Sequence, residues 1–161
     1  WVFITEKEVS IPLYAVLLFL IYKKIHLQGL LITVVTVALM VTFTDQLSNL
    51  FKDTFQRLRP CNEVFIEYGR FLAKRCGKYS FFSGHAISSF AVATFVSNIL
   101  KPFYKNIFYF MFTWCILITY SRVYIGVHYP ADILVGALFG LFAGYIFYKL
   151  HSYIRKRFSK A

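Results

Sequence analysis

Residues 25–44 read IHLQGLLITVVTVALMVTFT, a run of 20 residues without one Asp, Glu, Lys or Arg. A helix rises 1.5 Å per residue, so about 20 apolar residues are what the hydrocarbon core of a bilayer demands. This run decides the fold class, because a helix of that length lying on a soluble core would carry charges along one face. Four shorter uncharged runs accompany it, at residues 9–22, 86–100, 107–121 and 133–148. They need polar flanking residues, or a local interface, to complete a crossing. The pattern predicts an all-α integral membrane helical bundle with five spans. The run at 9–22 is not a signal peptide, since Glu6 and Glu8 precede it and no small-residue cleavage site follows.

Composition agrees with lipid as the solvent: 58% of the 161 residues are hydrophobic and 20% aromatic, where soluble chains are about half apolar. A net charge of +11 would suggest nucleic acid in a soluble protein, but here much of it lies in short turns and in the tail Arg155-Lys156-Arg157 with Lys160, which excludes a nucleic-acid reading in favour of membrane topology. With the Lys23-Lys24 turn in the cytoplasm, the Lys101 and Lys105 turn and the tail fall on the same side, and the polar motifs fall on the other. Lys and Arg divide equally between the sides, whereas Glu6, Glu8, Asp45, Asp53, Glu63, Glu67 and Asp132 are all placed outside. The chain is read as one domain, 1–161, with an outer loop at 51–84 and a basic cytoplasmic tail at 149–161. Because it opens on Trp1, residues upstream are expected.

Three clusters lie at the ends of the apolar runs. The first holds Lys52 and Arg59-Pro60; proline disfavours helix in the residue before it, so Arg59 should end the helix and point its guanidinium away from the Lys52 direction, letting two cations converge on one anion. The second is Ser83-Gly84-His85, where Ser83 can cap the helix that follows and Gly84 lets backbone N–H groups approach a phosphate. The third runs from Ser121-Arg122 to His128 and Asp132, with Pro130 marking a first helical turn; a carboxylate four residues beyond His128 can hold one imidazole nitrogen and aim the other. Each has a plainer reading: a basic patch on headgroups, a capping turn, an Arg122–Asp132 ion pair. No H-E-x-x-H, Cys/His zinc spacing, Walker glycine loop, G-x-S-x-G or dinucleotide fingerprint occurs, so neither a metal nor another cofactor is expected.

Cys61 and Cys76 bracket the outer loop and form either a disulfide, permitted on the oxidising side of a bacterial membrane, or two free thiols; Cys115 is a small core residue. Gly136, Gly140 and Gly144 recur every fourth residue on the last span, a smooth stripe for packing inside the bundle or for a homodimer.

Taken together, the clusters resemble the type 2 phosphatidic acid phosphatase superfamily, which includes the vanadium haloperoxidases. The family signatures K-x6-R-P, P-S-G-H and S-R-x5-H-x3-D read here as Lys52 to Pro60, Phe82 to His85 and Ser121 to Asp132, with every spacing kept and Phe82 in place of the usual proline. The resemblance implies a membrane enzyme of six helices, the sixth upstream of Trp1. It implies that Lys52, Arg59, Ser83, Gly84 and Arg122 bind phosphate, that His128 oriented by Asp132 is the nucleophile, and that His85 is the general acid and base. The expected activity is metal-independent hydrolysis of a lipid phosphate or diphosphate, polyprenyl or glycerophospholipid, through a phosphohistidine, in a bacterial plasma membrane with the site facing outward. A lipid A phosphatase, a lipid phosphotransferase and a non-catalytic lipid-binding or transport protein are the alternatives; a haloperoxidase fits poorly, since those are soluble. Substrate choice would rest on the loop bearing Arg70, Lys74, Arg75 and Lys78.

Overall fold

A computed structural model describes residues 7–63 and 76–158. The described residues form four helices and two short 3-10 turns, with no strand beyond an isolated antiparallel bridge between Leu58 and Tyr79. Helix α1 spans Ile11–Phe55, α2 Gly84–Leu100, α3 Ile107–Tyr124 and α4 Pro130–Phe158. Helices α1, α3 and α4 are long and apolar enough to cross a membrane, and α2 is a shorter apolar helix. Only 22% to 33% of their most apolar stretches is buried. The outward faces carry Leu31, Val35, Leu39, Phe110, Leu134, Leu138 and Phe142, all more than half exposed. In water such a surface would aggregate; in lipid it is the proper exterior.

Two of the expected spans, 9–22 and 25–44, run together as α1, which is broken at His26, where φ of 57° and ψ of −176° leave helical geometry. The break therefore falls two residues past the expected Lys23-Lys24 turn. Beyond it, Gly29, Thr33, Thr36, Met40, Thr44 and Ser48 are buried. Their spacing of three and four makes one stripe, and its next position is Lys52. The threonines satisfy themselves in the apolar interior by donating to carbonyls of their own helix, Thr33 to Gly29 at 2.8 Å and Thr36 to Ile32 at 2.7 Å.

Contacts fix the direction of each helix. Thr33 meets His151 at 3.0 Å, the rings of Phe43 and Phe147 lie 5.9 Å apart, and Phe51 reaches Phe139 at 5.6 Å, so this limb of α1 runs antiparallel to α4. Thr44 meets Ser88 at 3.2 Å and Phe51 meets Phe82 at 5.0 Å, which makes it antiparallel to α2 as well. At the other end Lys24 Nζ sits over the rings of Phe103 and Tyr104, at 5.3 and 5.7 Å. The three polar clusters thus gather at one end of the bundle, and the basic turns at the other.

The most extensive helix pair is α2 with α4. A Cβ on Gly136, Gly140 or Gly144 would lie 2.8, 2.5 or 2.4 Å from the carbonyl oxygens of Ser83, Ile87 and Ala91. The stripe is therefore spent on α2 of the same chain. Of the two readings of Gly136, Gly140 and Gly144, packing inside the bundle is the one seen, and the alternative of a homodimer is not supported, because no face is left there for a second copy. Close approach of two backbones needs residues without side chains, and its consequence is local: one turn above Gly136, on the same stripe, stands Asp132.

Candidate active site

The site is assembled from four segment ends. Helix α1 stops at Phe55, where Gln56 takes the left-handed conformation (φ 47°, ψ 25°) and its N–H closes on the Lys52 carbonyl at 2.9 Å. Arg59 does not end the helix, contrary to expectation; it follows three residues later in extended backbone (φ −77°, ψ 154°) before Pro60, as a residue preceding proline should. Its Nε donates to the Tyr79 carbonyl at 2.9 Å. Gly77 makes room for it, since a Cβ there would sit 3.2 Å from the guanidinium carbon.

Ser83 caps α2 as expected, its side chain accepting from the Ala86 N–H at 3.4 Å. The helix N-terminus is pinned to α4 by the Ser83 N–H donating to the Asp132 carbonyl at 3.2 Å. A Cβ on Gly84 would lie 3.6 Å from Lys52 Nζ and 3.1 Å from Ser48 Oγ. Lys52, reaching up from α1, therefore points at the free N–H groups of α2, and glycine keeps that space open. Ser48 is a residue that sequence reasoning missed. Its hydroxyl is fully buried and has no hydrogen-bond partner among the described residues. Phe82, the departure from the family pattern, is fully buried and stacked on Phe139 at 5.2 Å, so it seals the floor of the loop with aromatic contacts.

After α3 the chain turns back through Gly126, whose φ of 78° suits glycine, and the Val127 N–H returns to the Arg122 carbonyl at 3.2 Å. This folds His128 toward Arg122. His128 Nδ1 lies 3.4 Å from Asp132 Oδ2, and both side chains are buried. The same oxygen accepts from the Tyr129 N–H at 3.0 Å and from the Ser80 hydroxyl. Asp132 Oδ1 faces Arg57 Nη1 at 3.4 Å. The ion pair found at Asp132 is thus with Arg57, a residue outside all three clusters.

Burial pushes the His128 imidazole below the ordinary histidine range; its hydrogen bond to Asp132 opposes this, and the nearby cations Arg59 and Arg122 add to it. Burial likewise lowers the Arg59 guanidinium, with Asp132 opposing. The structure therefore brings Lys52, Arg59, Ser83, Gly84, Arg122, His128 and Asp132 to one end of the bundle, with His85 in the first turn of α2. Cations, free N–H groups and a neutral imidazole held by a carboxylate can bind a phosphoryl group and present a nitrogen lone pair to it. Among the described residues no three His, Cys, Asp or Glu side chains gather as a metal ion would require.

Cys61 and Cys76 are joined by a disulfide, their Cα atoms 6.4 Å apart. Closing a loop of about 15 residues contributes roughly 3 kcal/mol in the chain-entropy model. The strand-like pairing around it, Arg59 N–H to Lys78 O at 3.3 Å and Ser80 N–H to Arg57 O at 2.8 Å, ties the first cluster to the second. Arg70, Lys74 and Arg75, expected to select the headgroup, lie outside the described residues.

Residues 13–156 match the PAP2 superfamily. The chain is 37% identical over 152 residues to the lipid A 4'-phosphatase of Bacteroides thetaiotaomicron and 42% identical over 148 residues to that of Porphyromonas gingivalis, in each case over 89% of its own length. It spans 65% and 61% of those two relatives. The crystal structure of Aquifex aeolicus LpxE superposes with a TM-score of 0.67 at 28% identity, covering 91% of this chain and 80% of that one. With the family's three signatures at their proper spacing, at one end of a bundle that superposes on a solved relative, this multi-pass membrane chain belongs to the PAP2 superfamily.

Proposed function

We propose that the protein is a membrane lipid phosphatase that hydrolyses a phosphate of lipid A through a phosphohistidine intermediate, without a metal ion. The observation that carries this reading is the buried His128–Asp132 pair set among Arg59, Arg122 and the Lys52-facing N-terminus of α2. Lys52, Arg59 and Arg122, with Ser83 and the Gly84 N–H, hold the phosphoryl oxygens and neutralise the charge that develops on them. Asp132 accepts from Nδ1–H, which leaves the Nε2 lone pair free to attack phosphorus. The N–P bond forms as the bond to the lipid oxygen breaks, and His85 gives that oxygen a proton. His85 then takes a proton from water as the water oxygen attacks phosphorus, the N–P bond breaks, and inorganic phosphate leaves with His128 neutral again.

The lipid A assignment is supported by the names of the two relatives, both lipid A 4'-phosphatases. Polyprenyl diphosphates and glycerophospholipid phosphates are the competing substrates. Five spans are proposed for the chain, counting the two limbs of α1 separately. The basic turns at the end opposite the site support a reading in which that end lies in the cytoplasm and the site faces outward from a bacterial plasma membrane. The whole is read as a single phosphatase domain.

The test is phosphate release from lipid A, a polyprenyl diphosphate and phosphatidic acid in detergent, with chelator present, for wild type and His128→Ala. Chelator-resistant release that is fastest from lipid A and lost in the variant is expected. Equal release by both proteins would remove the phosphohistidine. A phosphorylated lipid acceptor with little free phosphate would identify a transferase instead, and no turnover of any lipid would leave a binding or transport protein.

A further inference from the structure

We propose that Arg57 is a positioning residue for the His128–Asp132 pair, its guanidinium holding Asp132 Oδ1 so that Oδ2 stays turned to His128 Nδ1. The proposal rests on the phosphatase reading of that pair. It begins from the unequal loading of one buried carboxylate. Oδ2 takes three donors, the Ser80 hydroxyl, the Tyr129 N–H at 3.0 Å and His128 Nδ1 at 3.4 Å. Oδ1 is buried and accepts no hydrogen bond from the described residues, yet lies 3.4 Å from Arg57 Nη1. A buried carboxylate so lopsided would rotate to share its donors, or bind a proton, unless a cation held the other oxygen.

Arg57 is itself held. Its guanidinium carbon lies 4.0 Å from the centre of the Tyr129 ring, and its carbonyl accepts from the Ser80 N–H at 2.8 Å. The Tyr129 hydroxyl in turn donates to Glu63 Oε1 at 3.5 Å, two residues beyond the disulfide at Cys61. Arg57 therefore touches both Ser80 and Tyr129, the two other donors to Asp132, as well as Asp132 itself. A planar, stacked guanidinium does this; an ammonium supplies the charge without the stacking. The charged and titratable groups facing the pair are Arg57, Arg59 and Glu63 from the segment after α1, Arg122 from α3, and His128 and Tyr129 from the turn before α4. Arg57 lies at ion-pair distance from Oδ1, so its removal frees the carboxylate to turn from His128 and makes it easier to protonate.

The experiment uses the full chain in detergent and measures phosphate release from lipid A against pH for wild type, Arg57→Gln, Arg57→Lys, Asp132→Asn and the Arg57→Gln/Asp132→Asn double variant, with His128→Ala as reference. Arg57→Gln is expected to lower kcat by about 10- to 100-fold, less than the roughly 10,000-fold that follows loss of an orienting carboxylate, with KM nearly unchanged. Its acid limb should move to higher pH, and Arg57→Lys should recover part of kcat and return the limb toward wild type. In the Asp132→Asn background the Arg57→Gln change should add less than about twofold, because the two residues act as one unit. Losses that multiply in the double variant, or a raised KM at unchanged kcat, would overturn the proposal and make Arg57 a direct substrate contact. Thermal melting of each variant separates misfolding from repositioning, with Arg57→Lys carrying the test if Arg57→Gln does not fold. Activity retained by His128→Ala would instead bring down the phosphohistidine reading, a result distinct from failure of the Arg57 cycle.

Discussion

Two histidines are buried at opposite ends of this bundle, His128 at 3% exposure and His151 at 1%, and their surroundings differ in kind. His128 faces the Asp132 carboxylate with Arg59 and Arg122 nearby. His151 faces a neutral hydroxyl, Thr33 at 3.0 Å, and the edge of the Phe95 ring at 5.5 Å. Since the Thr33 hydrogen is given to the Gly29 carbonyl at 2.8 Å, its oxygen is left to accept from His151 Nε2–H. That imidazole is a satisfied strut between α1 and α4. Burial alone thus says nothing about chemistry; an orienting carboxylate is what sets the proposed nucleophile apart from the packed histidine.

The sharpest way to break this contrast is to replace each histidine in turn. His128→Ala is expected to lower kcat by at least about 10,000-fold, while His151→Ala should keep the wild-type kcat and lose roughly 1–3 kcal/mol of stability from the vacated volume and the lost hydrogen bond to Thr33. Phosphate release in detergent beside thermal melts reads both. A folded His151→Ala without activity would erase the distinction.

Gly140 lies on α4 between the two regions. A methyl there would meet the Ile87 carbonyl at 2.5 Å, so Gly140→Ala should push α2 off α4, with a cost of about 1–3 kcal/mol. Because the same seam seats Ser83 against Asp132, kcat should fall along with the melting temperature, whereas His151→Ala moves only the latter.

The protonation of His128 sharpens the contrast further. Its folded pKa lies below the ordinary histidine value of about 6.5, so the imidazole stays neutral below that pH, and, with His128 as the proposed nucleophile, the acid limb of kcat/KM should fall under about 6.5. The sign for stability follows: below about pH 6.5 the unfolded chain binds this proton and the folded one does not, so the contribution is intact above that value and is lost as pH falls toward the folded pKa. An acid limb assigned to His128 above 6.5 would contradict the burial argument. The smallest effect is expected from Ser48→Ala. If that unpartnered hydroxyl donates to substrate, KM should rise about five- to tenfold, the worth of about 1–1.5 kcal/mol for one hydrogen bond, with the melting temperature unchanged or higher.

The parts of the site that were legible in sequence are those whose partners lie within one turn of the same segment. Ser83 caps its own helix, Asp132 lies four residues from His128, and Pro60 dictates the backbone of Arg59; local geometry fixes all three. Arg57 and Ser80 were missed because their contacts with Asp132 are separated from it by 75 and 52 positions in the chain, and nothing in their own neighbourhood marks them. Ser48 carried one signal that went unread, its place one turn before Lys52 on a stripe of small and hydroxyl residues. The end of α1 was misplaced because the left-handed turn at Gln56 stops it before the proline restriction acts.

What the sequence determined by itself was the solvent and the groups that the site contains: uncharged runs long enough to require lipid, and cations, histidines and a carboxylate at spacings that helix geometry translates into common faces. What only the tertiary structure decided was where the glycine stripe went and which cation faced Asp132. A stripe of small residues specifies close approach but not to whom, and a buried carboxylate requires a counter-charge without naming it. Both answers depend on how α2 and the segment after α1 pack on α4, which local sequence periodicity does not encode.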